Sequence, residues 1–249
     1  YYDIVFGRDV SREIDFVNGV YRQCVGHDPT SLLDLACGPG YHARNFARRG
    51  HRAVGLDLRE EMIAFAQEQA DEDGVTVEWI AEDMRHLLLE NPVDVAINMF
   101  DGIDCLQTND DLLAHFRAIA ASLTPGGLYI IDATHPRDVS YCYHQDYRYK
   151  GERDGVKVEI VWAVNHPTMD PVSHVLHTDI EMHIDENGQH IMIPDSAQER
   201  VLTAQEIIML AKLSGVFEPV SWYGDFDLNQ PFDMSPKSRR MITVLQKVV

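Results

Sequence analysis

The run Asp34-Leu35-Ala36-Cys37-Gly38-Pro39-Gly40-Tyr41-His42 has the residue types with which a backbone holds a small polar ligand. An apolar stretch ends in a glycine turn and opens into a helix, Tyr41 to Arg49, that Gly50 stops. Glycine at 38 and 40 permits positive φ and brings the chain close to a ligand without a Cβ between them. The unpaired N–H groups of the helix start point at the same place and favour a carboxylate or phosphate there. Asp57 ends a second apolar run, 17 residues beyond Gly40, where a carboxylate can accept from both hydroxyls of a ribose. Asp83 follows a third run, and an acid beside Met84 can accept from an adenine amino group while the methionine covers the ring.

The glycine turn alone serves two kinds of cofactor. Gly38-x-Gly40-x-x-Ala43 fits the dinucleotide fingerprint as well as a nucleoside-sulfonium site, and the residues downstream must separate them. For chemistry on an acceptor the candidates are Asp101 and Asp104, after a fourth apolar run, and His135 after a fifth. Carboxylates there attract an ammonium and can take its proton. Asp101 and His135 are the catalytic residues expected. Their other reading is a turn cap and a loop histidine before Pro136. Tyr141, Tyr143, Tyr147 and Tyr149 could form a lid with an amphipathic wall, or serve as packing. His166, His174, His177, His183 and His190 come without a completing acid or cysteine set, so no metal site is expected.

The elements that must position these residues alternate from 30 to 132. Apolar runs at Ser31–Ala36, Arg52–Leu56, Val75–Ile80, Val93–Asn98 and Gly127–Asp132 read as strands; Tyr41–Arg49, Arg59–Ala70 and Asp110–Leu123 read as helices between them. That order predicts βαβ units and a mainly parallel sheet. Val10–Tyr21 reads as a covering helix. From 133 to 202 the pattern changes to two-residue alternation, at Lys157–Val164, Val175–Ile184 and His190–Ile193, with Asn187-Gly188 as a hairpin turn, which predicts an antiparallel insertion. Residues 203–249 read as a capped helix, Thr203–Leu213, and two closing strands, Glu218–Tyr223 and Met241–Lys247. The whole is expected as one domain, with residues 30–132 as its cofactor-binding core.

The charge balance narrows the partners. Lys and Arg number 21 against 40 Asp and Glu in 249 residues, a net charge of −19 with no dense basic tract, which disfavours nucleic acid as a partner. No stretch is long and apolar enough to span a bilayer, so no membrane association is expected, and the absence of a signal pattern places the expected location in the cytoplasm. Four widely spaced cysteines give no C-x-x-C pair. The oligomeric state has no signal in the sequence.

Taken in order, Asp34-Leu35-Ala36-Cys37-Gly38-Pro39-Gly40, Gly55-Leu56-Asp57-Leu58 with Met62, Glu82-Asp83-Met84, Val93–Phe100 and Leu123-Thr124-Pro125-Gly126-Gly127 resemble the class I S-adenosylmethionine-dependent methyltransferases. Tyr2-Asp3, Gly40-Tyr41-His42, Tyr223–Asp227 and Ser238–Ile242 resemble its small-molecule members, and the bacterial aminosugar N,N-dimethyltransferases are the nearest group. The resemblance implies a Rossmann-like α/β fold: a seven-stranded sheet of order 3-2-1-4-5-7-6, the last strand antiparallel. It implies S-adenosyl-L-methionine as cofactor. Asp34, Ala36, Gly38 and Gly40 would form the turn at its methionine part, with Tyr2 closing over the carboxylate. Asp57 with Leu58 would hold the ribose and Asp83 with Met84 the adenine, the backbone carbonyl of Asn98 would face the amine, and Met62 would belong to the same cofactor site. The reaction implied is in-line transfer of a methyl group to the nitrogen or oxygen of a small molecule, with amines favoured. Asn98-Met99-Phe100-Asp101 departs from the Asn/Asp-Pro-Pro-aromatic sequence of amino-methylating nucleic-acid enzymes, which agrees with a small acceptor. Two other readings share the glycine turn: an NAD-dependent oxidoreductase, against which Asp83-Met84 counts, and a non-catalytic S-adenosylmethionine-binding regulatory protein.

Overall fold

The computed structural model describes residues 1–138 and 145–248, in two compact units. The larger comprises Asp9–Ile103, Thr108–Pro136 and Leu202–Val249. Its strands are β1 (Ser31–Leu35), β2 (Arg52–Asp57), β3 (Glu78–Ala81), β4 (Val93–Asn98) and β5 (Leu123–Thr134), followed after the smaller unit by β10 (Phe217–Tyr223) and β11 (Arg240–Lys247). They form one sheet of order β3-β2-β1-β4-β5-β11-β10. β1 to β5 pair in parallel, and β11 runs antiparallel to both β5 and β10. This is the expected order with its antiparallel last strand. Parallel strands covered on both faces are mostly apolar, and β1 is buried along its whole length with Asp34 as its one acid.

The helices supply the cover. α2 (Ser11–Val25) buries Ile14, Val17, Val20 and Tyr21, spaced three or four apart, and joins α3 (Tyr41–Arg48) in a core with Leu32, Val95, Ile97 and Ile130. α4 (Glu60–Asp73) ends at Gly74 in the left-handed region, where Val75 N–H bonds the Ala70 carbonyl. That bond keeps Val75 in the helix terminus, so β3 starts three residues later than the alternation predicts. α5 (Asn109–Ser122) is capped by Thr108, whose hydroxyl accepts from Asp111 N–H at 3.0 Å. α6 (Ala204–Ser214) carries the expected capping box of Thr203 and Glu206.

The smaller unit comprises Tyr1–Arg8, Asp104–Gln107 and Arg137–Val201. Its antiparallel sheet runs in order β6 (Tyr147–Arg153), β7 (Val156–Trp162), β8 (Val175–Glu186) and β9 (Gln189–Arg200). Asn187 and Gly188, both at positive φ, make the two-residue turn between β8 and β9. β9 is three times the expected length; Pro194 inside it is tolerated because β9 is a sheet edge, where a missing N–H costs no ladder bond. α1 (Tyr2–Phe6), which the pattern did not predict, packs Tyr2, Ile4, Val5 and Phe6 on Val158, Ile160 and Ile184. Tyr147 and Tyr149 lie on β6 rather than in a loop, and Tyr149 stacks on Phe6 at 5.3 Å, so that part of the tyrosine stretch is packing. Tyr141 and Tyr143 lie outside the described residues.

Candidate active site

The carboxyl ends of β1, β2, β3 and β4 lie along one edge of the large sheet, and Ala36, Gly38, Asp57, Asp83 and Asn98 stand at or just past these ends. Ala36 takes φ +52° at the end of β1, Gly38 +50° and Gly40 +73°, and Cys37 is tied at 2.9 Å to the Leu56 carbonyl. The two glycines do different work. A Cβ on Gly38 would meet nothing within 4 Å, so its backbone borders open space. A Cβ on Gly40 would lie 2.2 Å from the Trp79 ring, and one on Gly55 equally close to the same ring. Gly40 and Gly55 therefore form a slot for Trp79, and close ligand approach is the property of Gly38 alone.

Carboxylates fix the turn from beneath. Asp57 Oδ2 accepts from Gly38 N–H at 2.8 Å and its Oδ1 from Arg59 N–H at 3.0 Å, so one side chain locks the glycine turn to the end of β2. Each oxygen keeps a further lone pair. Asp34, buried in β1, accepts from Ala43 N–H at 3.2 Å in the first turn of α3. Burial pushes its carboxyl up to about 7, against the Ala43 N–H and with the help of the Asp57 charge. Burial also pushes the Cys37 thiol well up, which makes it an inert core thiol. Leu58, 70% exposed, and the half-buried Met62 stand past the end of β2.

Past β3, Asp83 accepts from Arg85 through its Nε, its terminal nitrogen at 2.5 Å and its backbone N–H at 2.9 Å. These bonds hold its carboxyl below the ordinary range, so it is an anion. Arg85 reaches Asp111 as well, at 2.5 Å. Met84 is buried, and its carbonyl meets Nδ1 of His115 at 3.0 Å. Since a carbonyl accepts, Nδ1 carries the proton, and Nε2 accepts from the Tyr129 hydroxyl at 2.8 Å. Burial holds His115 down to about 4, so the ring is neutral and structural. Sequence reasoning missed it; the signal was a histidine on the apolar stripe Leu112, His115, Phe116, Ile119 of α5.

Asn98, fully buried at the end of β4, donates from Nδ2 to the Leu35 carbonyl at 3.5 Å, while its Oδ1 is buried without a hydrogen-bond partner. An orphaned acceptor in this place calls for a donor from a ligand. Beyond it, Phe100 and Asp101 both take positive φ. Asp101 accepts from Thr134 N–H and, through Oδ2, from Arg240 at 2.9 Å. Arg240 also donates to buried Asp132 at 2.6 Å. Burial lowers the proton affinity of Arg240, but the two carboxylates outweigh it and hold the guanidinium charged. His135 is buried, donates from Nε2 to the Asp233 carbonyl at 2.9 Å and packs on Phe232. Asp104 lies in a short helix, Gly102–Cys105. Tyr2 lies in the smaller unit, its ring 4.6 Å from Phe6. His183 and His190 stack on the exposed face of the β8–β9 hairpin, each paired to a carboxylate.

A model of the methyltransferase domain matches residues 32–127. The matched segment is similar to that domain. It holds the glycine turn, Asp57, Asp83 and Asn98, and stops at the first residues of β5 proper. Outside the domain the likeness is carried by structure. The crystal structure of Streptomyces venezuelae DesVI is similar over 99% of this chain and 94% of that one, with 21% identity and a TM-score of 0.77. The SAM-bound structure of CalS10, an amino pentose methyltransferase from Micromonospora echinaspora, covers 97% and 93%, with 21% identity and a TM-score of 0.74. These establish the fold over the whole chain. By sequence, the dTDP-3-amino-3,4,6-trideoxy-alpha-D-glucopyranose N,N-dimethyltransferase of Streptomyces venezuelae is 28% identical over 53% of this chain and 54% of its own length. The chain spans about half the length of the curated relatives it matches.

Proposed function

We propose that this protein transfers a methyl group from S-adenosyl-L-methionine to an amine on a small molecule. The observation that carries the reading is the orphaned Asn98 Oδ1 beside a glycine turn open at Gly38, in a methyltransferase domain. These residues fit the cofactor. Asn98 offers an acceptor for its ammonium, Gly38 an open backbone, Asp57 unused lone pairs for the ribose hydroxyls, and Leu58 and Met62 apolar cover. Asp83 is kept ionised by Arg85, and it becomes an acceptor for the adenine amino group when Arg85 turns fully to Asp111. When bound, the sulfonium supplies an already activated methyl carbon, so the protein's task is alignment, exclusion of water and disposal of one proton.

At the acceptor end the residues divide the work. His135, buried after β5 and held through Nε2 by the Asp233 carbonyl, is the candidate general base. Asp101, ion-paired with Arg240, holds the turn after β4. Relatives named for amino groups on sugars support an amine acceptor, and the net charge of −19 supports a cationic or neutral small molecule over a polyanion. No helix of the described residues is long and apolar enough to cross a membrane, and we place the protein in the cytoplasm.

Thermal denaturation with S-adenosylhomocysteine and, separately, with NADH tests the reading. The homocysteine ligand raises the midpoint and NADH leaves it in place. A rise with NADH alone would return the chain to the oxidoreductases. Binding without methyl transfer to any amine, aminosugar or phenol would leave a cofactor-binding regulator.

A further inference from the structure

We propose that Phe100 is the residue against which the acceptor lies, presented at the carboxyl edge of β4 by a clamp of Asp132, Arg240 and Asp101. The inference rests on the methyl-transfer reading and adds to it the side chain that meets the acceptor. Phe100 at φ +57° and Asp101 at φ +65° are consecutive residues in the left-handed region, and for a bulky side chain such as phenylalanine that backbone is a true outlier. Such strain persists where the surroundings over-determine it, and it collects at functional sites.

Here the surroundings do so from four sides. Phe100 N–H donates to Asp132 Oδ2 at 2.9 Å, and Asp101 N–H donates to the Asp132 carbonyl at 3.1 Å. Thr134 N–H donates to Asp101 Oδ1, and Arg240 bridges Asp101 at 2.9 Å and Asp132 at 2.6 Å. Asp132 is buried at the end of β5 and Arg240 opens β11, so three strands contribute to one turn. An ion triad with one buried member, Asp132, and two partly buried ones is a poor way to gain stability and a good way to fix geometry. What the geometry delivers is an aromatic ring that is 50% exposed, two residues beyond Asn98. An exposed ring face attracts an alkylammonium and packs on the C–H faces of a saturated ring. Arg240 and Asp101 are positioning residues in this account.

The protein with 4-fluorophenylalanine at position 100, loaded with S-adenosylhomocysteine, tests it by fluorine NMR against benzylamine, tyramine and 3-amino-3-deoxyglucose. We expect a saturable shift with at least one amine. Phe100→Ala then raises KM for that amine by about tenfold, the scale of losing one apolar wall of a pocket, with the affinity for the homocysteine ligand kept and Phe100→Trp restoring KM. Arg240→Gln moves the fluorine resonance before any amine is added. A resonance that no amine moves, or an unchanged KM in Phe100→Ala, overturns the proposal. Failure of S-adenosylhomocysteine to bind, observed before any amine is present, overturns the methyl-transfer reading instead.

Discussion

Asp57 shows how much one side chain does at this edge. It ties Gly38 to β2 and keeps lone pairs for a ligand, so Asp57→Ala loses both the turn's anchor and a ribose acceptor. Isothermal titration should show S-adenosylhomocysteine binding weakened by about tenfold or more, the loss of a charged hydrogen bond. Asp34 gives a pH signature. Its folded pKa, about 7, lies above the ordinary value of 3.8, so its contribution to stability is full below about pH 4 and is lost as pH rises through 7. His115 acts in the opposite sense: held to about 4 when folded, it stabilises above about 6.5 and its contribution is lost as pH falls toward 4. The two slopes oppose each other between about pH 4 and 6.5. Asp34→Asn keeps an acceptor for Ala43 and removes one of them. Urea unfolding should then show the variant gaining on the wild type by up to about 4 kcal/mol as pH rises from 4 to 7. Parallel stability curves would exclude this.

Among the elements, β3 and the start of α3 are joined by Trp79, which fills the slot left by Gly40 and Gly55. Gly55 lies in a regular strand at ordinary φ, so Gly55→Ala tests packing without backbone strain. It should cost about 1–3 kcal/mol in thermal or urea unfolding, and Trp79→Leu in the same chain should recover part of that loss. Additive losses would show that the ring and the glycine do not touch. The elements were also where the sequence was easiest to read. The parallel strands were legible because both faces are buried and the runs are continuously apolar; β6 was not, because Tyr147–Arg153 alternates aromatic with charged residues over a half-exposed surface. The start of β3 was misplaced because Val75 and Val77 have strand residue types, while the backbone bond from Val75 to Ala70 is a property of the helix end.

For the molecule as a whole, the net charge of −19 sets a background of self-repulsion on which its surface ion pairs, such as Arg148 with Glu159, are small corrections. Raising sodium chloride from about 20 mM to about 300 mM shortens the screening length to below 10 Å and should raise the thermal midpoint. A midpoint that falls would mean that ion pairs outweigh the net charge.

The sequence by itself determined the βαβ order, the antiparallel insertion and which residues end the parallel strands, because hydrophobic period, glycine turns and strand-end acids are local and βαβ connections have one hand. It determined the order of the sheet through the resemblance of five short motifs. Only the tertiary structure decided that Gly40 serves Trp79 while Gly38 borders open space, that Asp83 is held by Arg85, and that Asp101 is neutralised by Arg240 from a strand 139 residues away. The reason is physical: the partner of a carboxylate or the occupant of a missing Cβ is set by strands and helices that meet in space, and no spacing along the chain encodes that meeting.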